Sequence, residues 1–311
     1  MVPQLPGVGS GPVRRPRATL PAVTATSEAP ASFRSSSVRP SAFSLVQGGI
    51  REVLSRRRLI AYLVRADLHK KGSDTLLGNV WWFLDPLLQM MVYVIFVGII
   101  LKRGSIEDYP LFVLCAILPW KWFDSTVKDG VGSIVTRERL IKQIYFPKLV
   151  LPVSTTIGGV VSFAFGLVPL FAITAVFYPH HLSLWPVLLP IVMLVQLVFS
   201  LSIAIMISAA NVFYRDVGNL IRHVLRMWFY LSPALYPAEL VKELTKNNPI
   251  LGDIFAINPW TVLFGAYRAL LFDGTAPHWS ALAILMLVSI GLTLLAIYLF
   301  KRAEPSFAKV L

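Results

Sequence analysis

Residues 137–178 read RERLIKQIYFPKLVLPVSTTIGGVVSFAFGLVPLFAITAVFY, a short basic segment that opens directly into about thirty uncharged residues. A helix needs only ~20 apolar residues to cross a hydrocarbon core of about 30 Å, so the second part reads as a membrane span. The first part is helix-compatible, with Leu140, Ile141 and Ile144 as an apolar face and Arg137, Glu138, Arg139 and Lys142 as a charged one. Pro147 ends it, because proline and the residue before it are excluded from a continuing helix. A charged segment pinned against a span is the arrangement expected where a soluble engine pushes on a membrane protein.

Composition extends that reading to the whole chain. Its 311 residues are 56% hydrophobic and only 14% charged, where a globular domain carries about 25% charged residues. The formal charge of +13 is the excess expected of a cytoplasmic membrane face rather than of a nucleic-acid binder. The single cysteine, Cys115, lies in an apolar run and excludes an internal disulfide or a cysteine-based zinc cluster.

Residues 1–45 are rich in Pro, Ser, Ala and Arg without apolar periodicity, and read as a disordered cytoplasmic tail. Residues 46–75 hold a basic amphipathic helix, with Arg56, Arg57, Arg58 and Arg65 among its cations, suited to the headgroups of an anionic leaflet. From 76 to 305 the pattern predicts an all-α membrane domain with six transmembrane helices, at 80–101, 109–135, 149–178, 187–210, 217–237 and 279–300. Residues 306–311 form a cytoplasmic C-terminus. Asn258-Pro259 is a helix start, with Asn as cap and Pro at the first position. The apolar helix it begins is too short to cross and is expected to be re-entrant.

Polar residues inside spans are functional candidates by default. Asp85 sits near the start of the first span, where capping or pairing with a nearby Arg is expected; Lys121, Asp124 and Lys128 share one face of the second. Arg215 and Asp216 read as a structural pair below span four. Gly158, Gly159 and Gly166 permit close helix approach in span three. All but six of the 29 Lys and Arg fall in 1–71, 128–148, 215–226 and 301–311, which places both termini in the cytoplasm of a multi-pass protein.

The chain contains no G-x-x-x-x-G-K-[ST] phosphate loop, no H-E-x-x-H zinc helix and no G-x-S-x-G elbow. His180 and His181 are placed in an outer loop with a headgroup or loop role, and no metal site is expected.

Several stretches in order, LLGNVWWFLDPLLQMMVYVIF (76–96), ILPWKWF (117–123), RERLIKQIYFPKLVLP (137–152), NVFYRDV (211–217), FYLSPALYP (229–237) and INPW (257–260), resemble the membrane subunit of ABC-2 type exporters for cell-surface polysaccharides, the group handling O-antigen, galactan, capsule and teichoic acid. Asp85, Lys121 and Asp124 are more polar than that pattern. The resemblance implies a homodimer in the bacterial plasma membrane that binds two copies of a separate ABC ATPase. ATP and Mg would then sit on the partner, with no cofactor on this chain. It further implies that 137–148 and the amphipathic helix face the ATPases, and that a lipid-linked polysaccharide passes between first and fifth spans. Aromatic rings with a polar tip suit the apolar faces and hydroxyls of a sugar, which makes Tyr93, Phe96, Phe229 and Tyr230 candidates for channel lining. Alternatives are an ABC-2 drug or small-lipid exporter, an integral membrane glycosyl- or acyltransferase, and a secondary transporter.

Overall fold

In the computed structural model, residues 41–73, 78–96, 106–144, 146–237 and 249–311 are described, and every regular element among them is helical. The expected tail lies outside these residues up to position 40; Ala42–Ser55 already forms helix α1, because Ser41 caps it by accepting from the Ser44 amide at 3.2 Å. After a one-residue break at Arg56, α2 follows at Arg57–Ser73.

α3 (Trp81–Tyr93) runs on through one π turn to Phe96, and 97–105 lie outside the described residues. α4 (Tyr109–Gly132) has 24 residues, about 36 Å of helix, although charges in its second half set it apart from a plain apolar span. α5 (Glu138–Gln143) is a six-residue turn of helix. α6 (Val150–Phe177) and α7 (Leu189–Phe213) are long, apolar and able to cross a membrane, as is the larger part of α11 (Trp279–Val310). At 32 residues α11 runs beyond a bilayer's thickness into the segment expected as a separate C-terminus, where Phe307 is buried against Phe300 at 5.2 Å.

The segment expected as a fifth span divides differently. α8 (Val217–Leu231) has 15 residues, about 22 Å, and stops because Ser232 precedes Pro233 and is forced to extended backbone, φ −103° and ψ 150°. α9 (Pro249–Ile257) and α10 (Pro259–Leu271) then form a short helical pair. Asn258 caps α10 as its sequence implies, its Oδ1 accepting from the Trp260 amide at 3.1 Å.

The main core lies where α4, α6, α7, α8 and α10 meet, around Trp120, Phe123, Trp260, Phe264 and Tyr267. Trp120 contacts Trp260 at 4.8 Å and Phe229 at 5.3 Å. Gln196 donates to the Pro119 carbonyl at 2.8 Å and Asn211 to the Val131 carbonyl at 2.9 Å, fastening α7 to α4 by buried polar groups that are costly to leave unmade. A second core joins α2, α5, α6 and α11 through Ile60, Leu63, Val64, Ile141, Leu149 and Phe300.

Candidate functional site

At the end of the molecule built by α2 and α5, Arg137 places its guanidinium on both oxygens of Asp67, 2.6 and 2.7 Å away. Both bonds come from one nitrogen, Nη2, a charge-assisted contact that ties the start of α5 to α2. Glu138 and Lys142 pair along α5 at 2.6 Å. Hydrogen bonding to Lys142, with the positive charges of Lys142, Arg215 and Arg139, holds the Glu138 carboxyl below its ordinary range.

The expected apolar face of this segment does not hold together. Ile141 is buried in the second core beside Ile60, Leu63 and Val64, Leu140 is half-buried, and Ile144 is 55% exposed. The reason is length: α5 ends at Gln143, four residues before Pro147, and Ile144 is extended, with φ −130° and ψ 132°. Arg139, Lys142 and Ile144 are therefore what α5 offers to the outside, together with exposed Arg56, Arg57, Arg58 and Arg65 on the break and on α2. Arg137 is engaged within the chain.

The amphipathic helix likewise has two uses. Ile60, Leu63 and Val64 of α2 pack on the spans, and Gly49 brings α1 so close to α11 that a Cβ there would lie 2.8 Å from Ile297. Lys301 of α11 then reaches Glu52 at 2.7 Å. The outward stripe of α1 carries Phe43, Ile50 and Leu54, all exposed, next to exposed Arg51. An apolar stripe flanked by arginine suits the headgroup boundary of an anionic leaflet.

Along the seam of α4 with α6 run two cavities, of about 550 and 390 Å³. The larger is lined by Asp67, Lys128, Arg137, Ser154 and Thr155, the smaller by Trp81, Asp85, Lys121, Asp124 and Ser162. Asp85 pairs with Lys121 of α4 instead of an arginine, and Asp124 with Lys128 at 2.6 Å. Each of these four charges on α3 and α4 thus has an opposite partner, the arrangement that lets charges sit among apolar helices. Hydroxyls and compensated charges make this seam hospitable to a hydrated polar group.

Of the aromatic candidates, Tyr93 packs against Phe229 with ring centroids 5.8 Å apart and planes tilted by 31°, and accepts from Gln89 at 3.2 Å. Phe229 is 4% exposed and belongs to the main core, because α8 turns its Leu225 and Phe229 stripe inward; within the single chain it lines no channel. Phe96 and Tyr230 are surface residues. Arg215 and Asp216 are both exposed, and among the described ion pairs none joins them. The Asp216 carbonyl instead starts α8 by accepting from Leu220 at 3.0 Å.

Two features had weaker signals in the sequence. Arg268, in the otherwise apolar α10, is buried with its guanidinium 3.6 Å over the Phe112 ring, and donates to the carbonyls of Pro233 and Ala234 at 2.7 and 2.5 Å. It ties α10 to the turn after α8, and an arginine in an apolar helix is the one clue to it. The second is the convergence of Asp108 with His180 and His181, far apart in sequence.

Residues 59–272 match the model of the ABC-2 type transporter family. The chain is 31% identical over 260 residues to the O-antigen export system permease protein RfbA of Myxococcus xanthus, covering 84% of this chain and 98% of that protein. An O-antigen export system permease protein RfbA of Klebsiella pneumoniae is 26% identical over 254 residues, covering 81% and 95% respectively.

Proposed function

Because the chain belongs to the ABC-2 type transporter family, a family of non-catalytic membrane transport subunits, we propose that it is the permease of an ABC exporter that moves a lipid-linked polysaccharide out of the cytoplasm. The observation that carries the substrate class is its alignment with O-antigen export permeases over nearly their whole length. Membership also removes the glycosyl- or acyltransferase alternative.

In this reading the permease is a homodimer in a bacterial plasma membrane, each copy bound to an ATPase subunit that supplies ATP and Mg. Six spans with both termini cytoplasmic put α2, α5 and the exposed arginines on the ATPase side. Arg139, Lys142 and Ile144 form the contact, while the Arg137 and Asp67 pair makes α5 and α2 move as one lever. The exposed apolar faces of α3 (Met91, Val92, Phe96) and α8 (Met227, Tyr230) support a dimer seam there, with Phe96 and Tyr230 facing the polymer. A polymer slides through such a seam because its contacts are weak, repeated and escapable.

The test is reconstitution with the ATPase in liposomes. Lipid-linked glycan is expected to stimulate ATP hydrolysis and appear on the far side; stimulation by amphipathic drugs with none by glycan would assign the chain to small-molecule export instead.

A further inference from the structure

We propose that Asp108, His180 and His181 form a binding site for a divalent transition-metal ion of the zinc type at the end of the molecule opposite α5. Asp108 precedes α4, the two histidines form a 3-10 turn after α6, and Phe272 closes α10. Asp108 Oδ2 lies 2.6 Å from His180 Nε2 and 3.1 Å from His181 Nε2. One carboxylate oxygen and two imidazole nitrogens thus converge on one point, a donor set that zinc takes readily with a fourth position left open.

The tautomer of His181 carries the argument further. Its Nδ1 lies 2.6 Å from the Phe272 carbonyl oxygen, which can only accept, so Nδ1 bears the hydrogen. In the neutral ring Nε2 then holds a lone pair, and that lone pair faces a carboxylate oxygen. Two acceptors so opposed call for a positive charge between them, a bound ion or the second proton of a charged ring, and the test below separates the two. A ligating histidine that donates its other nitrogen to a backbone carbonyl is the usual outer support of a metal site, fixing ring orientation and ligand basicity. Here the Phe272 ring adds to it, stacking on His181 at 4.3 Å.

Backbone and access agree with this. Among the described residues Asp108 is the single non-glycine with a left-handed φ, +52°, so the chain accepts a less favoured conformation where it presents this carboxylate. His180 is 59% exposed while His181 and Asp108 are 15% and 21% exposed, which leaves one side open for an ion to enter. Once bound, it would tie together the outer ends of α4, α6 and α10, clamping three segments that hydrogen bonds otherwise hold.

The test uses the full-length chain in nanodiscs, purified without a polyhistidine tag, stripped by chelator and titrated with Zn²⁺ against a fluorescent chelator. Wild type is expected to retain one zinc per chain; Asp108→Asn and His181→Gln should each weaken binding at least about tenfold. His278→Gln, an exposed histidine outside the cluster, should bind as wild type does. Zinc should also raise the melting temperature of wild type and of His278→Gln but of neither cluster variant. X-ray absorption at the zinc edge of wild type, which needs no variant to fold, should show nitrogen and oxygen ligands at about 2.0–2.2 Å with imidazole scattering. Uptake at background, as a shared proton in the cluster would leave it, overturns the proposal; so do equal affinities in wild type and cluster variants, or a zinc edge without imidazole.

Discussion

Gly158 and Gly159 are neighbours in α6 with opposite surroundings. A Cβ on Gly159 would stand 2.5 Å from Thr126 Oγ1 and 2.8 Å from the Trp122 ring, whereas nothing lies within 4 Å of one on Gly158, which lines the larger cavity. Gly159→Ala is therefore expected to push α6 off α4 and destabilise by about 1–3 kcal/mol, the usual cost of overpacking. Gly158→Ala, where the methyl group meets nothing, should leave stability unchanged or raise it by up to about 1 kcal/mol, because alanine is the better helix former. Thermal unfolding of the two purified variants checks the contrast, and equal melting temperatures would contradict the packing. Arg137 invites a second test. Because its guanidinium and the Asp67 carboxylate serve each other, Arg137→Ala, Asp67→Ala and the double variant should lose similar stability, with a coupling of about 1 kcal/mol or more in the cycle. Additive losses would show that the pair does not act as a unit.

At the scale of elements, the α5 segment sets a buried side chain, Ile141, three residues from an exposed one, Ile144, which is proposed to meet the ATPase. Ile141→Asp sets a charge into the second core and should lower stability and membrane yield together. Ile144→Asp changes an exposed side chain, so the permease should insert with wild-type stability yet lose co-purification of the ATPase and transport. Normal transport by that variant would move the docking surface elsewhere. The sequence showed where this element lies but not its rotation, since Leu140, Ile141 and Ile144 share a face only if the helix continues to Ile144. The long helices were legible because twenty or more apolar residues leave few alternatives, as in α6 and α7. Short elements were not. The end of α8 depended on Ser232 before Pro233, and the inward stripe of Leu225 and Phe229 on packing against Trp120, a contact between segments about a hundred residues apart. The Asp108 and histidine cluster escaped for the same reason, because no spacing rule links positions that only folding brings together.

For the whole molecule, the decisive quantity is sidedness, since lever, polar seam and histidine cluster acquire their roles only if they face opposite aqueous phases in the stated order. Positive charge argues for it statistically; the native cysteine allows it to be measured. Cys115 is fully buried in α4, so the wild-type chain offers little background to a membrane-impermeant maleimide. Leu184, 88% exposed in the connection between α6 and α7, marks the end that carries His180 and His181. Tyr214, 71% exposed between α7 and α8, and Ile144 mark the other. With α7 crossing once between Leu184 and Tyr214, the two must label from opposite sides in any arrangement that keeps this span. The six-span reading further requires Leu184→Cys to react in intact cells. Tyr214→Cys, Ile144→Cys and Arg58→Cys should react only after permeabilisation. Adding the ATPase to opened membranes should then slow labelling at Ile144, which it is proposed to cover, and leave Leu184 unchanged. Labelling of Ile144 from outside would invert the molecule and place the coupling surface beyond the reach of any cytoplasmic ATPase.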